Sequence, residues 1–286
     1  MITQNAFQQE INRIIVNAIR EDVGEGDHSS LACIPQHTFG KAHLFVKDKG
    51  ILAGVDFAKK VFQYVDPKLQ VHVNISDGTA VKYGDIAFEV VGSQQAILKA
   101  ERLVLNAMQR MSAIATKTNH FVKLLEGTNT RILDTRKTTP GIRALEKWAV
   151  HIGGGVNHRF GLYDAIMLKD NHIDFAGGVT KALDLTAHYL QTNKLTLKVI
   201  VEARDMEEIQ AILKHGGADR ILIDNFGIQD TKKAVELIGN QCQTESSGGI
   251  DEVTLRHYAE CGVDYISSGA LTHSVHNMDL SLKAIK

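Results

Sequence analysis

Residues 199–225, VIVEARDMEEIQAILKHGGADRILIDN, contain the pattern that decides the fold. An apolar run at Val199–Val201 precedes a helical segment at Met206–Lys214, and a second apolar run follows at Ile221–Ile223. A strand, a helix and a strand in turn predict a βαβ unit, whose two strands lie parallel because the helix carries the chain back.

The same alternation continues on both sides of this segment. The other predicted strands are Ile132–Leu133, Ala165–Leu168 and Tyr265–Ile266, and the other predicted helices are Thr231–Ile238 and Val253–Cys261. Several such units within about 150 residues predict an incomplete α/β barrel after Gly127.

The chain before Gly127 has a different pattern. A first amphipathic helix is predicted by apolar residues at helical spacing, namely Ile11, Ile14, Ile15, Ala18 and Ile19. Lys41–Val91 contains short β-rich pieces divided by glycines, which predicts a small α+β unit. Gln94–Leu125 has neither Gly nor Pro, which predicts one or two long helices.

The composition is that of an ordinary globular protein. The 286 residues include 44% hydrophobic and 23% charged side chains, and 32 basic against 33 acidic residues give a formal net charge of −1. This balance excludes global disorder and a protein that coats nucleic acid or an anionic membrane, because such coating requires a large basic excess. No run approaches the roughly 20 apolar residues of a membrane span, and the first residues lack the charged and apolar regions of a secretory signal, so we expect none. We therefore expect a cytoplasmic protein with reduced cysteines.

Polar or ionisable residues follow almost every predicted strand. In chain order they are Asp134–Lys137, Lys169–His172, Glu202, Asp224–Asn225, Glu245–Gly249 and Ser268–Gly269. The carboxyl ends of barrel strands meet on one face, where the βα loops form the active site. A single loop charge is usually only solvated, whereas a whole set on one rim predicts a functional site.

Basic side chains concentrate in residues 131–172, which contain seven Arg and Lys against four Asp and Glu. Arginine binds planar carboxylates and phosphates through two parallel hydrogen bonds. This stretch therefore predicts a pocket for a small, multiply anionic substrate. Gly153–Gly155 would let a backbone approach closely, and a plain flexible turn explains these glycines equally well.

Two acidic residues and two glycine-containing segments suggest sites for phosphate groups. Glu202 and Asp224 suit Mg²⁺ shared with a substrate diphosphate, and an ion pair with nearby basic residues is the alternative. Ser246–Gly249 and Ser268–Ala270 each precede a helical segment in the last two units, where barrels bind a phosphate monoester on backbone N–H groups.

Three segments resemble the quinolinate phosphoribosyltransferase family. They are TRKTTPG at 135–141, GGGVNHR at 153–159 and LKDNHI at 168–173, and the similarity extends over essentially the whole chain. The resemblance implies an α/β fold, with an N-terminal α/β sandwich domain at residues 1–115 and an incomplete TIM-like barrel at residues 116–273. We expect residues 274–286 to return to the first domain.

The resemblance also implies an activity. The enzyme would transfer the phosphoribosyl group of phosphoribosyl pyrophosphate to quinolinate with decarboxylation, in a Mg²⁺-dependent reaction of NAD biosynthesis. The products would be nicotinate mononucleotide, pyrophosphate and CO₂.

The residues that match the family's motifs receive roles by the same resemblance. Those implied to hold the two carboxylates of quinolinate are Arg102, Arg136, His158, Arg159 and Lys169. Lys137 is implied to face phosphoribosyl pyrophosphate, and Glu202 and Asp224 to serve Mg²⁺ and the ribose. The catalytic set is thus Lys137, Lys169, Glu202 and Asp224. The remaining substrate-binding residues are Thr135, Ser247, Gly248, Gly249, Ser268, Gly269, Ala270 and His273, of which Gly248, Gly249, Ser268 and Gly269 would cradle the 5′-phosphate.

The implied assembly is a homodimer in which Arg102 enters the active site of the second subunit, with a higher oligomer left open. Neither nucleic acid nor a membrane is an expected partner.

The chain departs from the family pattern at a few positions, and two other functions stay open. Ala113 replaces a glycine, Trp148 a tyrosine and His151–Ile152 an Arg-Cys pair, which puts helix packing and pocket lining in question. A paralogous transferase with another anionic acceptor is one alternative. A lipoyl-like carrier module is the other, although Lys82 lacks the small apolar flanks of a modified lysine.

Overall fold

The computed structural model describes residues 3–285, which form two compact units. The first unit contains Thr3–Asn119, Thr138–Gly154 and the chain from Leu271 onward, and the barrel unit contains His120–Lys137 and Gly155–Ala270. These units do not coincide with the predicted domains, because residues 138–154 belong to the first unit. The helix in that segment packs against the N-terminal helix, where Trp148 meets Phe7 edge-on with ring centroids 5.5 Å apart.

Helices and strands alternate along most of the described chain. In order they are α1 (Gln4–Val23), α2 (His28–Cys33), β1 (Phe39–Val46), β2 (Gly50–Ile51), α3 (Val55–Val65), β3 (Gln70–Val73), β4 (Ala80–Val81), β5 (Ile86–Ser93), α4 (Gln94–Leu124), β6 (Arg131–Leu133), α5 (Arg143–Ile152), β7 (Ile166–Leu168), α6 (Asp170–Ala176), α7 (Val179–Thr192), β8 (Val199–Ala203), α8 (Met206–His215), β9 (Arg220–Asp224), α9 (Ile228–Ile238), β10 (Gln243–Ser247), α10 (Leu255–Glu260), β11 (Tyr265–Ser267), α11 (Ala270–His273) and β12 (Leu280–Ile285). None of the helices within residues 3–285 has the length and apolar character needed to cross a bilayer.

The predicted N-terminal amphipathic helix is confirmed as α1. The hydroxyl of Thr3 accepts a hydrogen bond from Ala6 N and caps the helix, which ends before Gly24. Ile11, Ile14 and Ile15 on one face are buried, so the helix is held by packing of that face rather than by propensity alone.

A four-stranded antiparallel sheet organises the first unit, with strand order β12-β1-β5-β3. Leu44 of β1 pairs with Phe88 of β5, and both side chains are fully buried. Phe88 meets Phe62 of α3 edge-on at 5.9 Å, so α3 covers this part of the sheet. The last strand, β12, runs antiparallel to β1 and adds the end of the chain to the N-terminal sheet.

Six parallel strands form the barrel unit in the order β6-β11-β10-β9-β8-β7. The order is cyclic, since the last strand, β11, pairs with the first, β6. Beyond β6 a single parallel bridge joins Leu133 to Val156, and in the part of the chain that the structure describes no pairing joins Val156 to β7. The predicted incomplete barrel is therefore confirmed, as is the mixed α/β fold class.

The strand β10 corrects one prediction. Glu245–Gly249 was expected to follow a strand, but Glu245, Ser246 and Ser247 lie inside β10. Its sequence, QTESS, contains no apolar residue, yet its three central residues are buried. Hydrophobic periodicity cannot detect such a strand, because its buried side chains are polar; Thr244 is bonded to Asp264 and Glu245 to Arg220.

Candidate active site

The register of the parallel strands brings the predicted site residues of the barrel unit to one end. Ser247 at the end of β10 pairs with Asp224 at the end of β9, and Ser267 at the end of β11 pairs with Leu133 at the end of β6. Glu202 lies one residue before the end of β8. Side chains at these carboxyl ends share a rim, as expected for a barrel enzyme.

Asp134, directly after β6, organises the next segment of the rim. It is fully buried and its carboxylate accepts hydrogen bonds from Asn157 Nδ2 at 2.6 Å and from His158 N at 2.8 Å. Next to it, Thr135 Oγ1 accepts a bond from Lys137 N at 3.0 Å, which turns the chain. Asp134 therefore ties the segment that carries His158 to the start of the Arg136–Lys137 turn.

Arg136 and Arg159 form a cationic pair on this part of the rim. Arg159 is half-buried, and its Nη1 donates to Ala165 O at 3.2 Å. Burial, followed by the positive charge of Arg136, lowers the pKa of Arg159 below its ordinary value. A half-buried arginine and an exposed one whose positive charges repel each other are stabilised by an anion with more than one negative group.

Lys169, Glu202 and Asp224 form a second cluster. Lys169 Nζ lies 3.9 Å from Glu202 Oε2. Burial and then the charge of Asp224 raise the pKa of Glu202, while Lys169 opposes the shift. Burial also raises the pKa of Asp224, against a hydrogen bond from Asn225 and the charges of Lys169 and Lys137. The charge of Lys169 thus acts on both carboxylates, and the charge of Lys137 acts on Asp224.

The carboxylate cluster fits a magnesium ion that is shared with a substrate. Within residues 3–285 no group of three or more His, Cys, Asp or Glu side chains is arranged to hold a metal. Mg²⁺ commonly takes one or two protein carboxylates and completes its coordination with substrate phosphate oxygens and water. Glu202 and Asp224 supply that number of hard oxygen donors, and the repulsion that raises the pKa of Glu202 would be relieved by a cation.

Asn225 holds the carboxylate of Asp224. Its Nδ2 donates to Asp224 Oδ2 at 2.6 Å, and its N–H donates to Ser247 O at 2.9 Å. The backbone of Asn225 is left-handed, with φ of 57°, and a Cβ on Gly248 would collide with its side chain. Gly248, itself at φ of 99°, is therefore required for a close approach between the ends of β9 and β10.

The remaining predicted phosphate-binding residues lie near this turn or after β11. Gly249 follows Gly248 with open space around its α-carbon. Ser268 is buried, and its backbone N–H donates to Leu133 O at 3.0 Å, so this N–H serves the barrel rather than a ligand. Gly269 and Ala270 come next, with Ala270 opening the four-residue helix α11.

Arg102 and His273 belong to the first unit. Arg102 is exposed on α4, and His273 is the exposed last residue of α11, with its Nδ1 2.6 Å from Ser274 Oγ. The departures from the family pattern also belong to this unit. Ala113 is buried in α4, and the Trp148 ring packs against Phe7, so both positions serve helix packing.

The sequence interpretation assigned no role to three side chains that contact residues of the site. Asn157 and Asn225 bind the carboxylates of Asp134 and Asp224, and Arg220 binds Glu245 from within the barrel. Asn225 had a signal, because it directly follows a strand-end acid. Arg220 had none, since it begins β9, at the end of the strand away from the rim.

A parallel barrel with arginines and a lysine–carboxylate cluster on its carboxyl-end rim is typical of an enzyme that handles anionic small molecules. Residues 27–112 match the quinolinate phosphoribosyl transferase N-terminal domain, and residues 114–283 match the C-terminal domain. The chain belongs to the quinolinate phosphoribosyltransferase family, which confirms the expected relationship.

Similar proteins agree with this assignment over nearly the full chain. Quinolinate phosphoribosyltransferase [decarboxylating] 1b of Nicotiana tabacum is 43% identical over 96% of this chain and 82% of its own length. The probable nicotinate-nucleotide pyrophosphorylase [carboxylating] of Bacillus subtilis (strain 168) is 38% identical over 96% of this chain and 93% of its own. The solved nicotinate-nucleotide pyrophosphorylase of Francisella tularensis has a TM-score of 0.88 at 37% identity, covering 97% of this chain and 96% of the other.

Proposed function

We propose that this protein transfers the phosphoribosyl group of phosphoribosyl pyrophosphate to quinolinate with decarboxylation, as a pentosyltransferase of NAD biosynthesis. Family membership gives the reaction, and the cationic pair of Arg136 and Arg159 is the observation that supports the acceptor. Two guanidinium groups, of which that of Arg159 is half-buried, offer more donors than one carboxylate uses, and quinolinate carries two adjacent carboxylates.

The acceptor's carboxylates are bound by Arg136, Arg159 and Lys169. Charge pairing of both carboxylates fixes the pyridine ring, so that its nitrogen is presented to C1 of the ribose. The Nζ of Lys169 lies 3.9 Å from Glu202 Oε2, which supports an acceptor side that adjoins the donor side.

The donor is bound by Lys137, Glu202 and Asp224, and the glycine turn at Gly248–Gly249 receives its 5′-phosphate. Mg²⁺ held by Glu202 and Asp224 together with the diphosphate would stabilise the leaving pyrophosphate. Glu202 and Asp224 face the positive charge that develops on the ribose, and Lys137 faces the negative charge that develops on the diphosphate.

The chemistry proceeds in two stages. The pyridine nitrogen forms a bond to C1 as the bond from C1 to the diphosphate oxygen breaks, and pyrophosphate leaves. The bond between the ring and the adjacent carboxylate then breaks, CO₂ leaves, and the resulting carbanion is stabilised by the pyridinium until it takes a proton. The protein's part is to hold both substrates in line and to exclude a one-carboxylate acceptor.

A competition assay tests the acceptor. With quinolinate, nicotinate and nicotinamide offered together, quinolinate should be consumed selectively. Arg159→Ala should lower kcat/KM for quinolinate by about two orders of magnitude, because it leaves a carboxylate unpaired. Arg256→Ala, at a surface arginine paired with Glu260, serves as the matched control and should leave the rate unchanged. Equal turnover of nicotinate would favour the paralogous transferase instead.

The metal-bound donor site is tested by Asp224→Asn. Turnover should fall and the Mg²⁺ requirement should change, while quinolinate affinity measured by calorimetry stays near that of the wild type. A collapse of quinolinate affinity with unchanged Mg²⁺ dependence would assign Asp224 to the acceptor instead.

We also propose a homodimer in which each active site takes Arg102 from the second subunit. Arg102 is exposed on α4, in the unit that does not contain the strand ends. Arg102→Ala and Lys137→Ala should each be nearly inactive, and subunit exchange between them should restore about a quarter of wild-type activity, because half the dimers are mixed and each has one intact site. Demonstrated exchange without recovery would place Arg102 in its own chain's site or outside catalysis. A cytoplasmic location stays a prediction, which fractionation of cells expressing the protein would test.

A further inference from the structure

Asn225 contacts two parts of the proposed donor site within the barrel unit. It follows Asp224 at the end of β9, and its side-chain amide is next to both the carboxylate of Asp224 and the α-carbon of Gly248. By family resemblance Asp224 serves the ribose and Mg²⁺, and Gly248 cradles the 5′-phosphate. Asn225 itself is outside the set of substrate-binding residues that the resemblance implies.

The contacts determine which way the amide of Asn225 points. A carboxylate accepts hydrogen bonds and donates none, so the NH₂ end of the amide must face Asp224, and its Nδ2 lies 2.6 Å from Asp224 Oδ2. The carbonyl end faces Gly248, where an added Cβ would collide with Asn225 Oδ1. One side chain therefore fixes the carboxylate at its nitrogen end and limits the approach of the glycine turn at its oxygen end.

The backbone on both sides of this amide is fixed by the barrel. The N–H of Asn225 donates to Ser247 O at the end of β10 at 2.9 Å. The carbonyl of the next residue, Phe226, accepts from Tyr258 Oη at 2.9 Å, and Phe226 is buried. The side chain of Asn225 therefore projects from a main chain that is anchored before and after it.

The left-handed backbone of Asn225 suggests a simpler role, in which the residue only allows the chain to turn. Its φ is 57°, and asparagine is one of the few residues that adopt this conformation readily. If only the turn mattered, glycine would serve at least as well, because it has no Cβ. The amide that reaches Asp224 is the part of Asn225 that glycine cannot supply.

We propose that Asn225 is a positioning residue that holds the Asp224 carboxylate in register with the glycine turn at Gly248–Gly249, so that the ribose and the 5′-phosphate of one donor are bound together. The inference rests on the proposed function, in which Asp224 and this turn bind phosphoribosyl pyrophosphate. It gives Asn225 an effect on the donor and none on quinolinate, because its side chain bonds to Asp224 on the donor side.

Asn225→Gly separates the side chain from the turn. In the full-length protein this variant keeps the left-handed backbone and loses the amide. The Kd for phosphoribosyl pyrophosphate with Mg²⁺, measured by calorimetry, should rise about tenfold, while the Kd for quinolinate changes less than about twofold. An unchanged donor Kd would limit Asn225 to the turn and overturn the proposal. Equal weakening of both substrates would indicate general damage to the barrel and would also overturn it.

Lys194→Gly is the matched control for the glycine substitution. Lys194 follows α7 in the same barrel unit, its backbone is also left-handed at φ of 52°, and the residue is exposed. Both dissociation constants should stay within about twofold of the wild type. If Lys194→Gly also weakened donor binding about tenfold, the effect would belong to glycine at any left-handed position, and the inference would fail.

A double-mutant cycle with Asp224 distinguishes positioning from direct contact with the donor. Asp224→Ala removes the carboxylate that Asn225 holds. In this background Asn225→Gly should change the donor Kd less than about twofold, against about tenfold in the wild type. A similar loss in both backgrounds would mean that Asn225 acts on the donor by itself, which contradicts the positioning role. If Asp224→Ala binds the donor too weakly to measure, the comparison of Asn225→Gly with Lys194→Gly decides alone.

The outcomes separate this inference from the proposed function. A wild-type protein that binds neither quinolinate nor phosphoribosyl pyrophosphate with Mg²⁺ refutes the proposed function, whereas donor binding that Asn225→Gly leaves unchanged refutes only the positioning role. If Asn225→Gly lacks a cooperative unfolding transition, Asn225→Ala, which also lacks the amide, is measured in its place with the same expected result.

Discussion

Two fully buried glutamates, one in each unit, are paired with arginine in different ways. In the first unit, Glu146 accepts from Arg110 Nε and Nη2 at 3.0 and 2.9 Å and from the N–H and hydroxyl of Thr139 at 3.0 and 2.8 Å. In the barrel unit, Glu245 receives Arg220 and His158 on Oε2, and among the described residues its Oε1 has no hydrogen-bond partner.

The two pairs differ in how completely the carboxylate is hydrogen-bonded. The Arg110–Glu146 pair is fully bonded, whereas the Arg220–Glu245 pair, on a strand that ends at the rim of the candidate site, is not. Glu146 has both oxygens satisfied, as buried carboxylates in well-folded regions usually do. Glu245 keeps its charge in the barrel interior with an unsatisfied oxygen, which costs stability. Barrel interiors are usually filled by branched apolar residues, so the polar side chains of β10 depart from the usual packing.

The largest expected effect comes from breaking the fully satisfied pair. Arg110→Ala leaves Glu146 buried without its cation and should lower the free energy of unfolding by about 3–5 kcal/mol. Urea denaturation monitored by circular dichroism measures this change. A loss below about 1 kcal/mol would mean that water reaches Glu146 readily, and the contrast between the two pairs would disappear.

Glu245→Gln should lower the free energy of unfolding by a smaller amount, about 1–3 kcal/mol at neutral pH. In the wild type, Oε1 of Glu245 accepts no hydrogen bond from the described residues, so the substitution removes none there. The same denaturation experiment applies, and a loss equal to that of Arg110→Ala would contradict the comparison.

The effect of Glu245→Gln should also depend on pH. Burial opposes ionisation of Glu245, but its hydrogen bond and charge interaction with His158 and the charge of Arg220 lower its pKa below the ordinary 4.5. A group with a lowered folded-state pKa contributes stability above its unfolded pKa and loses it as pH falls through the folded value. The stability difference between wild type and Glu245→Gln should therefore be constant above about pH 5 and shrink in acid.

Asp224→Asn should change stability in the opposite direction. Because burial raises the pKa of Asp224, its ionised form destabilises the fold, and this cost grows as pH rises through the folded-state pKa. Without substrate or Mg²⁺, the free energy of unfolding of the variant at pH 7 should exceed that of the wild type by about 1 kcal/mol. Stabilising substitutions at functional positions commonly have effects of this size. Comparing denaturation at pH 7 and pH 4 checks the sign, since the gain should be smaller at pH 4.

The smallest effect is expected at the surface. Glu252→Gln removes the exposed pair with His120 and should change the free energy of unfolding by less than about 0.5 kcal/mol. A larger loss would show that solvent exposure does not explain the difference in stability contribution between the His120–Glu252 pair and the buried His158–Glu245 pair.

Much of the fold could be predicted because its signals are local. Val199–Val201, Ile221–Ile223 and Tyr265–Ile266 are strands and Met206–Lys214 is helical, as their apolar spacing indicates. The polar strand β10 could not be predicted this way, and residues 138–154 gave no sign that they belong to the first unit. Both depend on partners distant in the sequence.

The candidate site divides along the same line. Arg136, Lys169, Glu202 and Asp224 were found from their places after predicted strands, and the barrel places them on its rim. The positions of Asn157 and Arg220 beside their partners could not be found, because a hydrogen-bond partner distant in the sequence is specified by register and side-chain direction. Asn225 directly follows Asp224, so its contact could have been found from the sequence.

The sequence by itself determined the alternation of strand and helix, the family, and the charged residue types that follow the barrel strands. These follow from local periodicity and from motifs read along the chain. Only the tertiary structure decided which buried charges are paired, that Glu245 lies inside a strand, and that His158 faces Glu245 and Arg159. Electrostatic and hydrogen-bond energies depend on distances of a few ångströms and on the exclusion of water, and folding alone sets both.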